Sequence, residues 1–169
     1  LSGGDSTFIS TTYHSWVIES ISLVEILSID SKPAFVSVGQ DDIPVNVILK
    51  NVGGSTVTID SVEIDFRQHT DNYSGHIITP GSQLPNDEQE LFPLNLTVDP
   101  AAIPGPDTMY ARVVYTEVNT SEQKFTVDSL FITDEWVVQE RPLITVDSVS
   151  VRPSIVSTGQ EGLTGSIYI

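Results

Sequence analysis

Two stretches of the chain, 120 residues apart, carry the same sequence pattern. The first runs from Pro33 to Leu49 as PAFVSVGQDDIPVNVIL, and the second runs from Pro153 to Ile169 as PSIVSTGQEGLTGSIYI. The match extends backwards without a gap to the only two tryptophans of the chain, Trp16 and Trp136. Self-similarity at a fixed period is the sequence signature of tandem modules. We therefore expect modules of about 120 residues, a length that suits one folded unit.

The repeat divides the chain into three predicted parts. Residues 19–138 form one complete module, residues 1–18 the closing strands of a preceding module, and residues 139–169 the opening strands of a following one. Half a sandwich leaves strand edges and an apolar face open to water, which favours pairing with further chain. We therefore expect both ends to be completed by neighbouring material, either the continuing polypeptide or an adjacent copy. Gly165 stands where the first copy has Val45, so that layer is expected to pack less tightly in the second copy.

Alternation of apolar and polar residues predicts β-strands along the module. The phase of the alternation shifts after Ile59, which predicts a bulge near Asp60-Ser61. Phe125 and Val127 are predicted to begin a closing strand that leads to Trp136. No segment has helical spacing, and about seven strands without helices predict an all-β, Ig-like antiparallel β-sandwich in a tandem array. The predicted inward-facing residues are Val45, Val47, Leu49, Leu94, Leu96, Val98, Met109, Ala111, Val113 and Tyr115.

The charge of the chain limits its partners. Seven Lys and Arg stand against 23 Asp and Glu, a formal net charge of −16. Nucleic acid and anionic membranes both need clustered cations on the protein, so neither is an expected partner. No apolar run reaches the ~18 residues of a membrane span, so no membrane insertion is expected in this segment. The scattered acids predict a solvated, self-repelling surface, with high-salt adaptation or bound Ca²⁺ as alternatives.

Part of the module resembles a known family of surface-protein domains. The pattern consists of Pro33, the sequence VSVGQ at residues 36–40, the apolar strand of residues 45–49, and the turn KNVGGST at residues 50–56. It resembles the cell-adhesion-related (CARDB-type) Ig-like modules of bacterial and archaeal surface proteins. This resemblance implies a stalk or spacer in an adhesin, an envelope protein or a large secreted enzyme. The fold alone does not fix a function.

Three Asn-x-Ser/Thr sequons are candidate glycosylation sites. They begin at Asn72, Asn95 and Asn119. Asn72 and Asn119 fall in predicted loops, and Asn95 faces outward if Leu94 and Leu96 face inward. We expect glycosylation of at least one, with Asn119 first and Asn72 next, which would require export across a membrane.

Other chemical sites are sparse. The chain has no cysteine, which excludes disulfides and thiolate metal sites. His14, His69 and His76 lack metal-ligand spacing and are predicted to be solvated. No Gly-rich phosphate loop or Gly-x-Ser-x-Gly elbow occurs, so no catalytic residue, no cofactor-binding residue and no enzymatic activity are predicted. Asp134-Glu135 before one junction and Asp30 after the equivalent one could share Ca²⁺ between modules, although solvated loop acids are the alternative interpretation.

Together these patterns favour a structural extracellular protein. Ig-like modules would follow one another in a fibre, a stalk or a cell-surface layer, with neighbouring modules or copies of the same protein as partners. Trp16 and Trp136 are expected at equivalent positions near module junctions, packing there rather than binding a ligand. Two alternatives remain: an accessory carbohydrate-associated spacer of a secreted hydrolase, which would need a row of exposed aromatic residues, and an appendage subunit that donates a strand between protomers.

Overall fold

The computed structural model of the chain describes residues 18–127 and 132–169, and Trp16 and His14 lie outside these ranges. The described residues contain thirteen β-strands, one 3-10 helix (Arg67–Asn72) and no α-helix, nor any helix with the length and apolarity that crossing a bilayer requires. The strands are β1 (Val24–Ser31), β2 (Phe35–Ser37), β3 (Ile43–Asn51), β4 (Val57–Asp65), β5 (Tyr73–Ser74), β6 (Ile77–Ile78), β7 (Gln83–Leu84), β8 (Gln89–Val98), β9 (Gly105–Glu117), β10 (Gln123–Val127), β11 (Asp134–Gln139), β12 (Ser148–Arg152) and β13 (Thr164–Tyr168).

The first eleven strands form two sheets. One sheet has four strands in the order β1-β3-β8-β5. The other has seven, with β2-β11-β9-β4-β6 as its main path, β10 beside β9 and β7 beside β4. Neighbouring strands are antiparallel except for β2 and β11, which run parallel. The chain changes sheet between β1 and β2, where Pro33 cannot donate to a strand ladder.

One apolar core lies between the two sheets. The ten residues predicted to face inward on β3, β8 and β9 are all between 0 and 2% exposed. The strand register between β4 and β9 shifts between Ile59 and Ser61, which confirms the predicted bulge. Val62 and Ile64 are therefore buried beyond the bulge, as Val57 and Ile59 are before it. The predicted all-β sandwich is confirmed.

The end of the module differs from the prediction. The sequence predicts one closing strand from Phe125 to Trp136, whereas the structure has two strands there. β10 pairs with residues 112–116 of β9, and β11 pairs with residues 105–109. Because β9 is 13 residues long, it can pair with both strands along one edge. Residues 128–131 lie outside the described residues.

The last two strands repeat the pairing of β1 with β3. Val149 of β12 faces Ile167 of β13, as Ile29 faces Val47. Four consecutive partner pairs of β1 and β3 recur between β12 and β13, with every residue number raised by 120. The β12–β13 pair therefore has the strand register of the β1–β3 pair.

The turn that follows β2 also recurs 120 residues later. Ser37 N donates a 2.9 Å hydrogen bond to Gln40 Oε1, and Ser157 N donates a 3.1 Å bond to Gln160 Oε1. In each turn the backbone of the glutamine donates to the carbonyl of the serine, at 3.0 and 3.1 Å. The shared Ser-x-Gly-Gln sequence thus forms the same local structure twice.

Candidate functional site

The three predicted glycosylation sites lie on different parts of the module surface. Asn119 is exposed in the turn between β9 and β10, where its Nδ2 donates a 2.7 Å hydrogen bond to Glu19 Oε2. Asn95 is exposed on β8, which confirms its outward orientation. Asn72 is half-buried at the end of the 3-10 helix. Modification of each asparagine stays a prediction.

A buried carboxylate on β9 connects several polar groups in the core. Tyr73 donates from its hydroxyl to Asp107 Oδ2 at 2.6 Å, and His69 Nδ1 lies 2.6 Å from Asp107 Oδ1. Trp136 Nε1 in turn donates to the Tyr73 hydroxyl oxygen at 3.2 Å. Burial, and then the hydrogen bond to Asp107, raise the pKa of Tyr73, so its hydroxyl remains a donor. The network satisfies polar groups that burial removes from water.

The aromatic rings of this network pack together. The ring centroids of Phe66 and Tyr73 are 3.8 Å apart, and Trp136 lies 5.6 Å from both. Trp136 is buried on β11, three residues before that strand ends, so it presents no face to a ligand. Packing of Trp136 in the core near the exit of the module is confirmed. Its equivalence with Trp16 stays a prediction because Trp16 lies outside the described residues.

His69, one of the histidines predicted to be solvated, is exposed but has a specific partner. The 3-10 helix lays this side chain against β9, where it is half-exposed and contacts the buried Asp107. His76 is partly buried too, with Nδ1 3.2 Å from Tyr73 O. The sequence does not predict the 3-10 helix that brings His69 to Asp107.

An open depression of about 220 Å³ lies beside this network. At its edge the Arg67 guanidinium lies over the Tyr110 ring, 3.8 Å from the ring centroid, a cation–π contact. Tyr110 is therefore partly covered rather than free to stack on a sugar. The exposed aromatic residues of the described chain are Phe35, Phe125 and Tyr168, which lie on three different strands. No strand of the described residues therefore carries two exposed aromatic side chains in a row.

The predicted calcium ligands have partners of their own. Asp134 Oδ2 accepts a 2.5 Å hydrogen bond from Ser31 N, which joins β11 to the end of β1. Asp30 lies 3.7 Å from Lys32 Nζ. Over residues 18–127 and 132–169, no three His, Asp or Glu side chains gather into a metal-binding group. Calcium at the module junctions stays a prediction.

Where the chain enters the module, its backbone is hydrogen-bonded to the turn between β3 and β4. Leu23 O accepts hydrogen bonds from Val52 N and Gly53 N, at 2.8 and 3.2 Å. Ile21 O accepts from Gly54 N at 3.3 Å. A Cβ on Gly53 would overlap the backbone of Leu23 and Ile21. The two glycines of the turn therefore serve the close approach of the entering chain.

A partly buried ion pair binds the other side of the entering chain. Glu117 Oε2 lies 2.7 Å from Lys124 Nζ and accepts a 3.1 Å hydrogen bond from Ser22 Oγ. The Lys124 hydrogen bond, and then those of Ser55 and Ser22, lower the pKa of Glu117 to about 2. Thr126 Oγ1 also donates to Val24 O at 2.7 Å. The hairpin of β9 and β10 thus holds residues 22–24 by side-chain hydrogen bonds.

This ion pair predicts a specific acid sensitivity. A carboxylate whose pKa is lower in the folded than in the unfolded chain stabilises the fold above its ordinary value of 4.5, and that contribution is lost as the pH falls towards about 2. We expect the free energy of unfolding to fall more steeply between these pH values in the wild type than in Glu117→Gln, measured by urea unfolding. Glu122→Gln is the control, since Glu122 is largely exposed and 3.7 Å from Lys124. Parallel curves for the wild type and Glu117→Gln would contradict the assignment.

The chain leaves the module beside the turn that follows β2. Val38 N donates to Gln139 O at 2.9 Å. Arg141 then turns back, and its Nε and Nη2 donate to Val38 O and Gly39 O, each at 2.9 Å. Gly39 has a φ of +66°, and a Cβ there would overlap the guanidinium of Arg141. The glycine of the VSVGQ pattern therefore allows the positive φ of the turn and leaves room for the Arg141 side chain.

The β12–β13 hairpin exposes residues whose counterparts 120 positions earlier lie in the core of the sandwich. Val149 is 64% exposed, whereas its counterpart Ile29 is 8% exposed. Ile167 is 67% exposed, whereas Val47 is fully buried. The same strand pairing thus carries a covered apolar face in one place and an uncovered one in the other.

These features define an all-β protein with an Ig-like sandwich module, its entry and exit both bound to specific turns. No protein-family model matches the chain, and the search of the curated proteins gave no match. A solved structure to which it is similar is the CARDB domain of the PF1109 protein from Pyrococcus furiosus, in complex with di-metal ions. The TM-score is 0.43 and the identity 20%, over 76% of this chain and 100% of that one. The solved domain is of the family that the sequence resembles.

Proposed function

We propose that the chain is part of an extracellular structural protein, in which Ig-like modules follow one another in a fibre, a stalk or a cell-surface layer. The observation that carries the proposal is the repeated pairing of β1–β3 and β12–β13, with the same register at an offset of 120 residues. The first pair belongs to a complete sandwich. The second pair has the strands and the turn with which such a sandwich begins.

The uncovered face of the second hairpin supports the same proposal. Its exposed apolar residues stand at inward positions of the first module, and an apolar sheet face of this kind is normally covered in a folded protein. The strands that cover Ile29 and Val47 in the first module would cover Val149 and Ile167 in the second. The function of the module is then mechanical: each unit buries its own core, and the acidic surface keeps neighbouring fibres apart.

Location outside the cell is part of the proposal. The resemblance to surface-protein modules and the exposed sequons at Asn95 and Asn119 support it. Protease added to intact source cells is expected to cut the protein. The intact mass of the native protein is expected to exceed the sequence mass by that of a glycan, and Asn119 is the asparagine most expected to carry it. Protection from the protease would overturn the location, and unmodified asparagine at all three sequons would overturn the glycosylation alone.

An extended chain tests whether the second hairpin begins a module. In it, residues 50–138 are added a second time after Ile169, which continues the repeat in phase. We expect the amide hydrogens of β12 and β13 to exchange much more slowly in the extended chain than in the chain of 169 residues, reaching the protection of β1 and β3. Hairpin amides that stay unprotected after the extension would overturn the proposal.

Two controls make this test specific. Deleting Ile169 at the joint shifts the alternation of the following strand by one residue, so the added strands should no longer cover the hairpin. The chain of 169 residues is also measured over a range of concentrations. Protection that rises with concentration, without the extension, would favour the strand-donating appendage subunit over a continuous array.

A further inference from the structure

We infer that each linker between modules is bound by both modules that it joins, so that neighbouring modules keep one fixed orientation. The inference rests on the proposed function and concerns residues 139–143, which begin at the last residue of β11 and precede β12. The surface involved is the Gly-Gly turn of the module being entered, and its partner is the linker of the module being left.

The exit side of this linker is held by a side chain. Arg141 donates two 2.9 Å hydrogen bonds to the carbonyls of Val38 and Gly39, two residues after the backbone of Gln139 accepts from Val38 N. The guanidinium presents its donors in a fixed plane, so two bonds to adjacent carbonyls fix its direction. The linker therefore stays bound to the module beyond the last residue of β11.

The entry side of a linker is held through backbone carbonyls. In the complete module, Ile21 O and Leu23 O accept from the turn at residues 52–54, and Ser20 O accepts from Ser55 Oγ at 3.1 Å. Raised by 120, these acceptors are the carbonyls of residues 140, 141 and 143. A following module with a Gly-Gly turn would bind residues 140–143 in the same way.

The hydrogen bonds to the module being left and those to the module being entered can form at the same time, because they use different atoms of the linker. Arg141 binds the module being left with its side chain, and its backbone carbonyl remains available to the module being entered. Pro142 stands where the first entry has Ser22, and none of the three acceptor bonds needs the N–H that proline lacks. No residue of the linker lies between the part bound by one module and the part bound by the other. A flexible linker differs in this respect, because its ends move independently.

Distance measurements between two spin labels test the inference in the extended chain. The chain has no cysteine, so labels attach only at the introduced Asn86→Cys and Glu161→Cys, both exposed positions. We expect one narrow distance distribution, and we expect Arg141→Ala to broaden it several-fold by releasing the exit. Arg152→Ala is the matched control: Arg152 is exposed, its side chain has no hydrogen bond to the described residues, and its removal should leave the width unchanged.

Binding of the linker by the module being entered is tested by one substitution, made either in the added copy or in the first copy. Gly53→Val in the added copy places a side chain where the linker backbone should lie and is expected to broaden the distribution. The same Gly53→Val in the first copy disturbs only the chain at residues 21–23 and should leave the distance unchanged. Amide exchange of the added strands shows whether the second module is folded in each variant.

The outcomes separate the two proposals. A folded second module with a broad distance distribution, or with a width that Arg141→Ala does not change, overturns the inference and leaves the proposed function standing. A second module that does not fold in the unsubstituted extended chain overturns the proposed function and the inference with it. A narrow distance distribution that is broadened by Arg141→Ala and by Gly53→Val in the added copy supports a linker bound by both modules.

Discussion

Replacing Trp136 by alanine should lower the free energy of unfolding of the module by about 3–5 kcal/mol, the loss found for large aromatic side chains deleted from a core. Trp136 is buried, lies 5.6 Å from two other rings, and donates to the Tyr73 hydroxyl. The substitution removes the ring, leaves a cavity and takes one partner from a buried hydroxyl. Chemical unfolding followed by circular dichroism measures the change.

Trp136→Phe is the matched variant. It keeps a ring against Phe66 and Tyr73 but removes the indole donor, so its loss should be clearly smaller than that of Trp136→Ala. Equal losses for the two variants would show that the hydrogen bond to Tyr73, rather than the packed ring, carries the effect. A loss below about 1 kcal/mol for Trp136→Ala would contradict its place in the core.

The second large effect compares equivalent residues of the two copies. Ile43 is 1% exposed at the start of β3, and its counterpart Leu163 is 46% exposed. We expect Ile43→Ala to cost about 2–5 kcal/mol. Leu163→Ala should change the free energy of unfolding by no more than about 0.5 kcal/mol, as usual for surface residues. Urea unfolding of both variants in the chain of 169 residues gives the comparison.

The extended chain should remove this difference. Once further strands cover the second hairpin, Leu163 takes the buried position of Ile43, and Leu163→Ala should become comparably costly for the second module. An unchanged small effect, in an extended chain whose second module is folded, would mean that the two hairpins pair alike but pack differently.

The sandwich itself could be predicted from the sequence because its core obeys a simple alternation. All ten predicted inward residues are buried, and the phase shift after Ile59 marks the bulge. The site around Asp107 could not be predicted in the same way. It depends on the 3-10 helix, which carries His69 to β9 from a stretch without periodicity.

One signal for the buried acids was nevertheless present. The inward phase of β9, taken beyond Met109 and Tyr115, falls on Asp107 at one end and on Glu117 at the other. Both are buried, and each has a hydrogen-bonded partner from another strand, Tyr73 of β5 and Lys124 of β10. A carboxylate in the inward phase of a strand therefore predicts a satisfied buried acid, but the sequence does not name the partner.

The parallel pairing of β2 with β11 determines how the module would respond to a stretching force. Phe35, Val36 and Ser37 pair in order with Val137, Val138 and Gln139, near where the chain leaves the module. A pull that reaches the start of β2 and the end of β11 draws these two strands past each other along their length, because those two points lie at opposite ends of a parallel pair. The bonds between β2 and β11 then share the load and break together, whereas an antiparallel hairpin pulled from one end opens one bond at a time.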